Sequence, residues 1–386
     1  MRHERQVELL RRLTAADAPR PGPLGAQSLH NPASVYTSVE RFEAEMRVLF
    51  GGMPQLAALS CEVAKPGSYT TTTIGRVPVV VVRQPDGSVR AFVNACRHRG
   101  AAIFTDLSGD GLRAITCPYH SWTYGLDGCL RSFPGAEAGF DDIDKSTHGL
   151  HEVAAAEAHG LIMVRLDQKP FDVTEALCGA ADELADYGLA DYQHIDTRSN
   201  EWNMNWKLVM DTFTEPYHIP SLHKDSIAPY YHFDRWIFDA YGPYPRFIGL
   251  RKGVLDEAMK PNEDDWQLLP YGTTQYLLIP NAVLVHQIDH IELWHLVPLG
   301  PDRTVCVTSI YAPPGELSER ARGYFVKNLD VLLGVTNTED FPAQERVQRN
   351  MACGAMTDVV YGKMEPALVH YHTAINKLLA DAGENF

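Results

Sequence analysis

Two short segments, Cys96-Arg97-His98-Arg99-Gly100 and Cys117-Pro118-Tyr119-His120-Ser121-Trp122, constrain this chain more than any other feature in it. Each supplies one thiol and one imidazole, and eighteen residues intervene between His98 and Cys117. Both segments follow strand-like sequence, so two hairpin tips can bring four metal-ligating side chains together. Zinc is the plain reading of two cysteines and two histidines. Zinc ligands, however, normally come as a cysteine pair and then a histidine pair, whereas here each loop carries one of each. That order suits a [2Fe–2S] centre in which both thiolates bind one iron and both imidazoles the other. The remaining cysteines, Cys61, Cys129, Cys178, Cys306 and Cys353, have no partner at ligand spacing and read as small hydrophobes.

The chain has 386 residues, with 49 acidic against 34 basic side chains and a formal charge of −15. That balance argues against a non-specific nucleic-acid binder. No apolar run is long enough to span a bilayer, and the charged N-terminus lacks the apolar core of a secretion signal. The expected location is the cytoplasm, with no nucleic-acid or membrane partner.

The expected class is α+β, in three parts. Residues 1–50 read as a helical arm packing on the body, with a Pro/Gly-rich bend at Pro19–Gly25. Residues 51–165 read as a small all-β module, where Val77–Arg83 and Val89–Val93 flank the turn Pro85-Asp86-Gly87. Residues 166–386 hold a meander of four strand-like runs, Thr273–Ile279, Ala282–Ile288, Ile291–Val297 and Thr304–Tyr311. Helical periodicity follows at Glu316–Leu333 and Ala367–Ala380, so helices are expected to cover an antiparallel sheet.

A second constellation lies in Asn205-Trp206-Lys207 and Glu215-Pro216-Tyr217-His218 through His223. Four residues separate His218 from His223, a spacing at which two imidazoles can share one metal. A carboxylate completes the facial triad that binds ferrous iron and leaves positions open.

Cys-Arg-His-Arg-Gly with Cys-Pro-Tyr-His-Ser-Trp closely resembles the Rieske iron–sulfur motif. The stretch from Asn205 to His223 resembles the mononuclear-iron motif of Rieske non-heme iron oxygenase α subunits. The resemblance implies Cys96, His98, Cys117 and His120 as [2Fe–2S] ligands, and His218 and His223 as ligands of a mononuclear iron. It puts the third iron ligand at Asp340, with Glu339 and Asp358 as fallbacks. It also implies a helix-grip catalytic domain. Glu215 stands where the family usually has an aspartate linking His218 to the cluster ligand His120 of a neighbouring subunit, which implies a homotrimer or a multiple of it. Asp211 stands where many members of the family carry an asparagine near the iron, and is expected either to support the iron ligands or to be a plain structural residue. The chain holds no G-x-G-x-x-G dinucleotide signature, so electrons are expected from a separate NAD(P)H reductase, with or without a ferredoxin. The implied function is terminal oxygenation of an aromatic or alicyclic substrate with O2. The alternative is oxidative demethylation or monooxygenation of a methoxy or quaternary ammonium compound. Of the aromatic stretch from Tyr230 to Phe247, most rings are expected to pack the sheet and a few to reach the cavity. His286, His290 and His295 read as structural histidines, one of which could meet a polar substituent.

Overall fold

The computed structural model describes every residue except 16, 17, 19–21 and 259, and the side chains of residues 137 and 138. The first part of the Pro19–Gly25 bend therefore lies outside the described residues. Two compact units emerge, one of Phe50–Ala176 with Gly188–Asp191, the other of Met1–Leu49, Leu177–Tyr187 and Tyr192–Phe386.

The first unit is built on a seven-stranded sheet in the spatial order 55–59, 161–165, 152–158, 89–93, 77–83, 69–74, 108–109. Its centre is Val77–Arg83, paired antiparallel with Val89–Val93. The unbroken run Val79-Val80-Val81-Val82 is buried on both faces, as a strand between two cores must be. Val79 and Val81 join a core with Ile162 and Val164. Val80 and Val82 join another with Phe92, Trp122 and Tyr124, and this second core contains Cys96 and Cys117. Period-two alternation thus presents one face of the sheet to the ligand loops.

The second unit centres on a seven-stranded antiparallel sheet, ordered 193–202, 303–312, 290–300, 282–287, 272–278, 244–251, 231–241. The four expected meander strands are adjacent in chain order, as Gly272–Leu278, Ala282–Gln287, His290–Gly300 and Arg303–Ala312. Register shifts in Gln193–Trp202 and Tyr231–Tyr241 add local bend and twist. The helix Glu319–Val335 buries Phe325, Leu329 and Leu333, a stripe at four-residue spacing. Pro366–Asp381 packs against the strands 231–241 and 244–251. Near the N-terminus, His3–Thr14 forms the expected charged helix, and Leu29–Pro32 pairs with Asp358–Tyr361. That pairing, with Asp358 bonded to His30 at 3.0 Å, commits this fallback acid elsewhere.

Candidate metal centres

The two loops of the first unit share one backbone design. The N–H of Cys96 donates to the carbonyl of Ala101, and that of Gly100 returns to Cys96, both at 2.8 Å. In the second loop Cys117 N–H donates to Trp122 at 2.8 Å, and Ser121 N–H returns to Cys117 at 3.0 Å. Each loop turns on a left-handed residue, Gly100 at φ 76° and Ser121 at φ 59°. Glycine reaches that conformation freely and serine at some cost. The consequence is that both thiols are buried, while His98 and His120 stand with ring centroids 4.7 Å apart.

His98 stacks on Trp122 at 5.1 Å with planes 7° apart, and its buried Nδ1 has no hydrogen-bond partner. A buried ring nitrogen without a partner costs free energy unless something binds it, and a metal satisfies that need. Tyr124 Oη lies 3.2 Å from Cys96 Sγ and accepts the Arg97 N–H at 3.1 Å. Burial, with the facing Cys117, pushes the Cys96 thiol up; binding iron as a thiolate offsets that cost. The donor set fits a [2Fe–2S] group.

In the second unit, Asn205 caps the helix Trp206–Thr212 by accepting from Lys207 N–H at 3.0 Å. The chain then reaches Glu215, which Pro216 disfavours from helical backbone. His218 and His223 flank a single helical turn, Ile219–Leu222. Asp340 ends a wide π-type turn, Thr336–Asp340, between the helices Glu319–Val335 and Phe341–Ala352. Pro342 lacks the N–H that a regular ladder would need there, and such widened turns are frequent at functional sites.

The structure brings His218, His223 and Asp340 together, with one ligand atom from each inside a 4.8 Å span. His223 Nε2 is 2.9 Å and His218 Nε2 3.5 Å from the same oxygen, Asp340 Oδ1. The opposite ring nitrogens are each held by a carboxylate. His223 Nδ1 lies 2.6 Å from Glu339 Oε2, which also accepts from Ser226 Oγ at 2.8 Å. His218 Nδ1 bonds Glu215 Oε1, while Glu215 Oε2 accepts the His218 N–H at 3.1 Å. Carboxylates beside both Nδ1 atoms favour a proton there, the arrangement that turns Nε2 towards a metal and orients metal-binding imidazoles. Burial works against an imidazolium at His223, yet Asp340 and Glu339 outweigh it and raise its pKa. A site that favours positive charge in this way also favours a divalent cation.

Glu339, a fallback ligand by sequence, lies instead at the ring nitrogen of His223 that faces away from Asp340. Asp211 points into a buried network instead: it accepts from Tyr36 Oη at 2.5 Å and lies 2.9 Å from His372 Nε2, with Tyr361 bonded to Tyr36. Burial first, then the Asp211 charge, pushes the Tyr36 phenol well up, so it stays a donor. Sequence reasoning missed this cluster because Tyr36, Asp211 and His372 are far apart in the chain. It missed Ser226 for lack of any local signal. Glu339→Gln is expected to weaken iron binding about 10–100-fold, read as iron per chain after dialysis against a chelator, with cluster absorbance unchanged. Retention of iron at the wild-type level would show that Glu339 does not orient His223.

Beside the triad lies a cavity of about 740 Å³, including its mouth. Phe213, Ile219, Ile227, Phe247 and Leu332 contribute apolar wall. Of the aromatic stretch, Tyr231 and Phe247 line it, whereas Trp236 and Tyr244 are buried and Tyr230 is exposed. His286 is buried against Tyr187 at 5.1 Å, and burial lowers its pKa to about 4, so it is neutral.

Residues 53–154 match the Rieske [2Fe-2S] domain family, and residues 189–381 match the ring hydroxylating alpha subunit (catalytic domain) family. The glycine betaine monooxygenase oxygenase subunit of Chromohalobacter salexigens is 29% identical over 312 residues, covering 72% of this chain and 69% of that protein. A solved quaternary ammonium Rieske monooxygenase, described with carnitine oxidation by gut microbiota and inter-subunit electron transfer, shares the fold. Its TM-score is 0.76 at 21% identity, over 90% of this chain and 94% of that one. Naphthalene 1,2-dioxygenase with indole bound gives a TM-score of 0.75 at 20% identity, over 91% and 92%. Among the described residues no helix is long and apolar enough to cross a membrane. With a Rieske module ahead of a catalytic domain that gathers two histidines and an aspartate, the chain belongs to the ring-hydroxylating α-subunit family of Rieske non-heme iron oxygenases, oxidoreductases that incorporate O2.

Proposed function

We propose that His218, His223 and Asp340 hold the mononuclear iron, that Cys96 and Cys117 bind one iron of the cluster, and that His98 and His120 bind the other. The observation that carries this reading is the convergence of two Nε2 atoms on Asp340 Oδ1 with both Nδ1 atoms held by carboxylates. The ferrous iron supplies dioxygen activation: a C–H bond, O2, two electrons and two protons give C–OH and water. The residues hold it and shape access. Glu215 fixes the tautomer of His218, and its carboxylate is the bridge to His120 of a second copy, which makes a trimer the working assembly. Electrons come from a separate NAD(P)H reductase, with or without a ferredoxin.

For the substrate, the cavity favours the demethylating or monooxygenating alternative over attack on a bare hydrocarbon. Thr273, Gln275 and Gln287 line it along with the apolar wall, and Gln275 Oε1 is buried without a partner. Such groups want a polar ligand. Hydroxylation of a methyl on nitrogen or oxygen yields a carbinol that releases formaldehyde. Turnover with reductase and ¹⁸O2 over methoxyarenes, aromatic acids and methylated amines is expected to give formaldehyde with one labelled atom. Label retained on a ring would establish the ring hydroxylase instead, and oxygen uptake no greater than without the chain would overturn both.

A further inference from the structure

The cavity floor follows from strand register. Phe247, Gln275, Val285 and Glu292 stand opposite one another on four successive strands, and so share one face. One pleat along, Gly249, Thr273, Gln287 and His290 form a second row. Every residue of the two rows except His290 lines the cavity.

Glu292 is the anomaly in this floor. It lies in a strand buried from His290 to Pro298 and is itself 4% exposed. Taking a carboxylate out of water is costly unless it is well paired. Among the described residues its hydrogen bond goes to His290 Nε2, at 3.3 Å. The other nitrogen of that ring lies 2.8 Å from Asp289 Oδ1, and Asp289 also accepts from Tyr324 Oη at 3.2 Å. Burial resists charging His290, but Glu292 and Asp289 prevail and raise its pKa. Two acids thus share one ring, so this group has one carboxyl more than it has basic side chains. No lysine or arginine is among the described residues that line the cavity, and its other acids, Glu215 and Asp340, are engaged with His218 and His223.

We infer that Glu292 is a specificity-determining residue, the counter-charge for a cationic nitrogen on the substrate, and that it places a carbon near that nitrogen at the His218, His223 and Asp340 centre. The inference rests on the terminal-oxygenase reading and deepens it. A purely structural Glu292, present to hold His290, would give no preference between a cation and a neutral molecule of the same shape.

The test uses the iron-loaded, dithionite-reduced protein, with substrate-site occupancy read from the ferrous–nitrosyl EPR signal. The probes are choline, N,N-dimethylethanolamine and 3,3-dimethylbutan-1-ol, the last an uncharged isostere of choline. Both cations are expected to bind about tenfold or more tightly than the alcohol, a typical gain for a close pair shielded from water. Glu292→Gln is expected to erase that difference while leaving affinity for the alcohol. Equal binding of all three probes to wild type, no binding of either cation, or a preference that survives in Glu292→Gln would overturn the inference. The wild-type comparison stands even if the variant does not fold. Failure of the oxygenase reading is separate: it shows in the same sample as no ferrous–nitrosyl signal, or no Rieske EPR signal after reduction.

Discussion

Asp340→Ala is expected to give a protein that keeps its red-brown, dithionite-bleachable cluster and loses turnover to background. The loss should exceed the roughly hundredfold that changes outside the ligand set cause, because Asp340 is the point on which both imidazoles converge. His223 Nε2 lies 2.9 Å and His218 Nε2 3.5 Å from its Oδ1. Alanine leaves two imidazoles and no anionic ligand, so mononuclear iron falls towards zero per chain. Cys96, His98, Cys117 and His120, proposed above to hold the cluster, belong to the other compact unit, which is why the visible spectrum should survive. Metal analysis and absorbance on one sample check both halves. Normal mononuclear iron in Asp340→Ala would move the third ligand elsewhere, with Glu339 the nearest carboxylate to His223.

The second large effect is on stability. Lys207 is fully buried, its Nζ 2.6 Å from Glu45 Oε2, which also accepts from Trp206 Nε1 at 3.0 Å. The other Glu45 oxygen accepts from Arg41 Nε at 3.0 Å. Burial pushes the Lys207 ammonium down to about 8 even with Glu45 beside it, a measure of how costly that charge is to bury. Glu45→Gln keeps the shape and removes the counter-charge from two buried cations, and should destabilise the catalytic unit by about 3–5 kcal/mol. Adding Lys207→Met should restore a large part of the loss, since the uncompensated ammonium is then gone. Denaturant midpoints of the single and double variants check this. A loss below about 1 kcal/mol in Glu45→Gln would show that the pair is not the main anchor of the helix Trp206–Thr212.

The same residues show what a linear reading can reach. The Cys96–His98 and Cys117–His120 segments are legible because residue identity and spacing are local, and each loop closes within six residues on its own backbone hydrogen bonds. The meander was legible because period-two burial and turn chemistry are local too, although the strand now bounded as His290–Gly300 runs beyond the expected Ile291–Val297. The N-terminal arm reads as helical from its sequence, yet nothing in that sequence says that Glu45 pairs with Lys207 or that Tyr36 meets Asp211.

By itself, then, the sequence carried the two Cys-His motifs, the closely spaced pair His218 and His223, and the alternation that builds the sheet, each set by neighbours within a few residues. Only the tertiary structure decided that Glu339 meets His223, that Asp211 joins the Tyr36 and His372 network, and that Glu292 shares a cavity with His218, His223 and Asp340. The physical reason is that hydrogen bonds and charge pairs act over a few ångströms of space. Residues 223 and 339, or 211 and 372, come within that range only after the sheet has curled and the helices have closed over it.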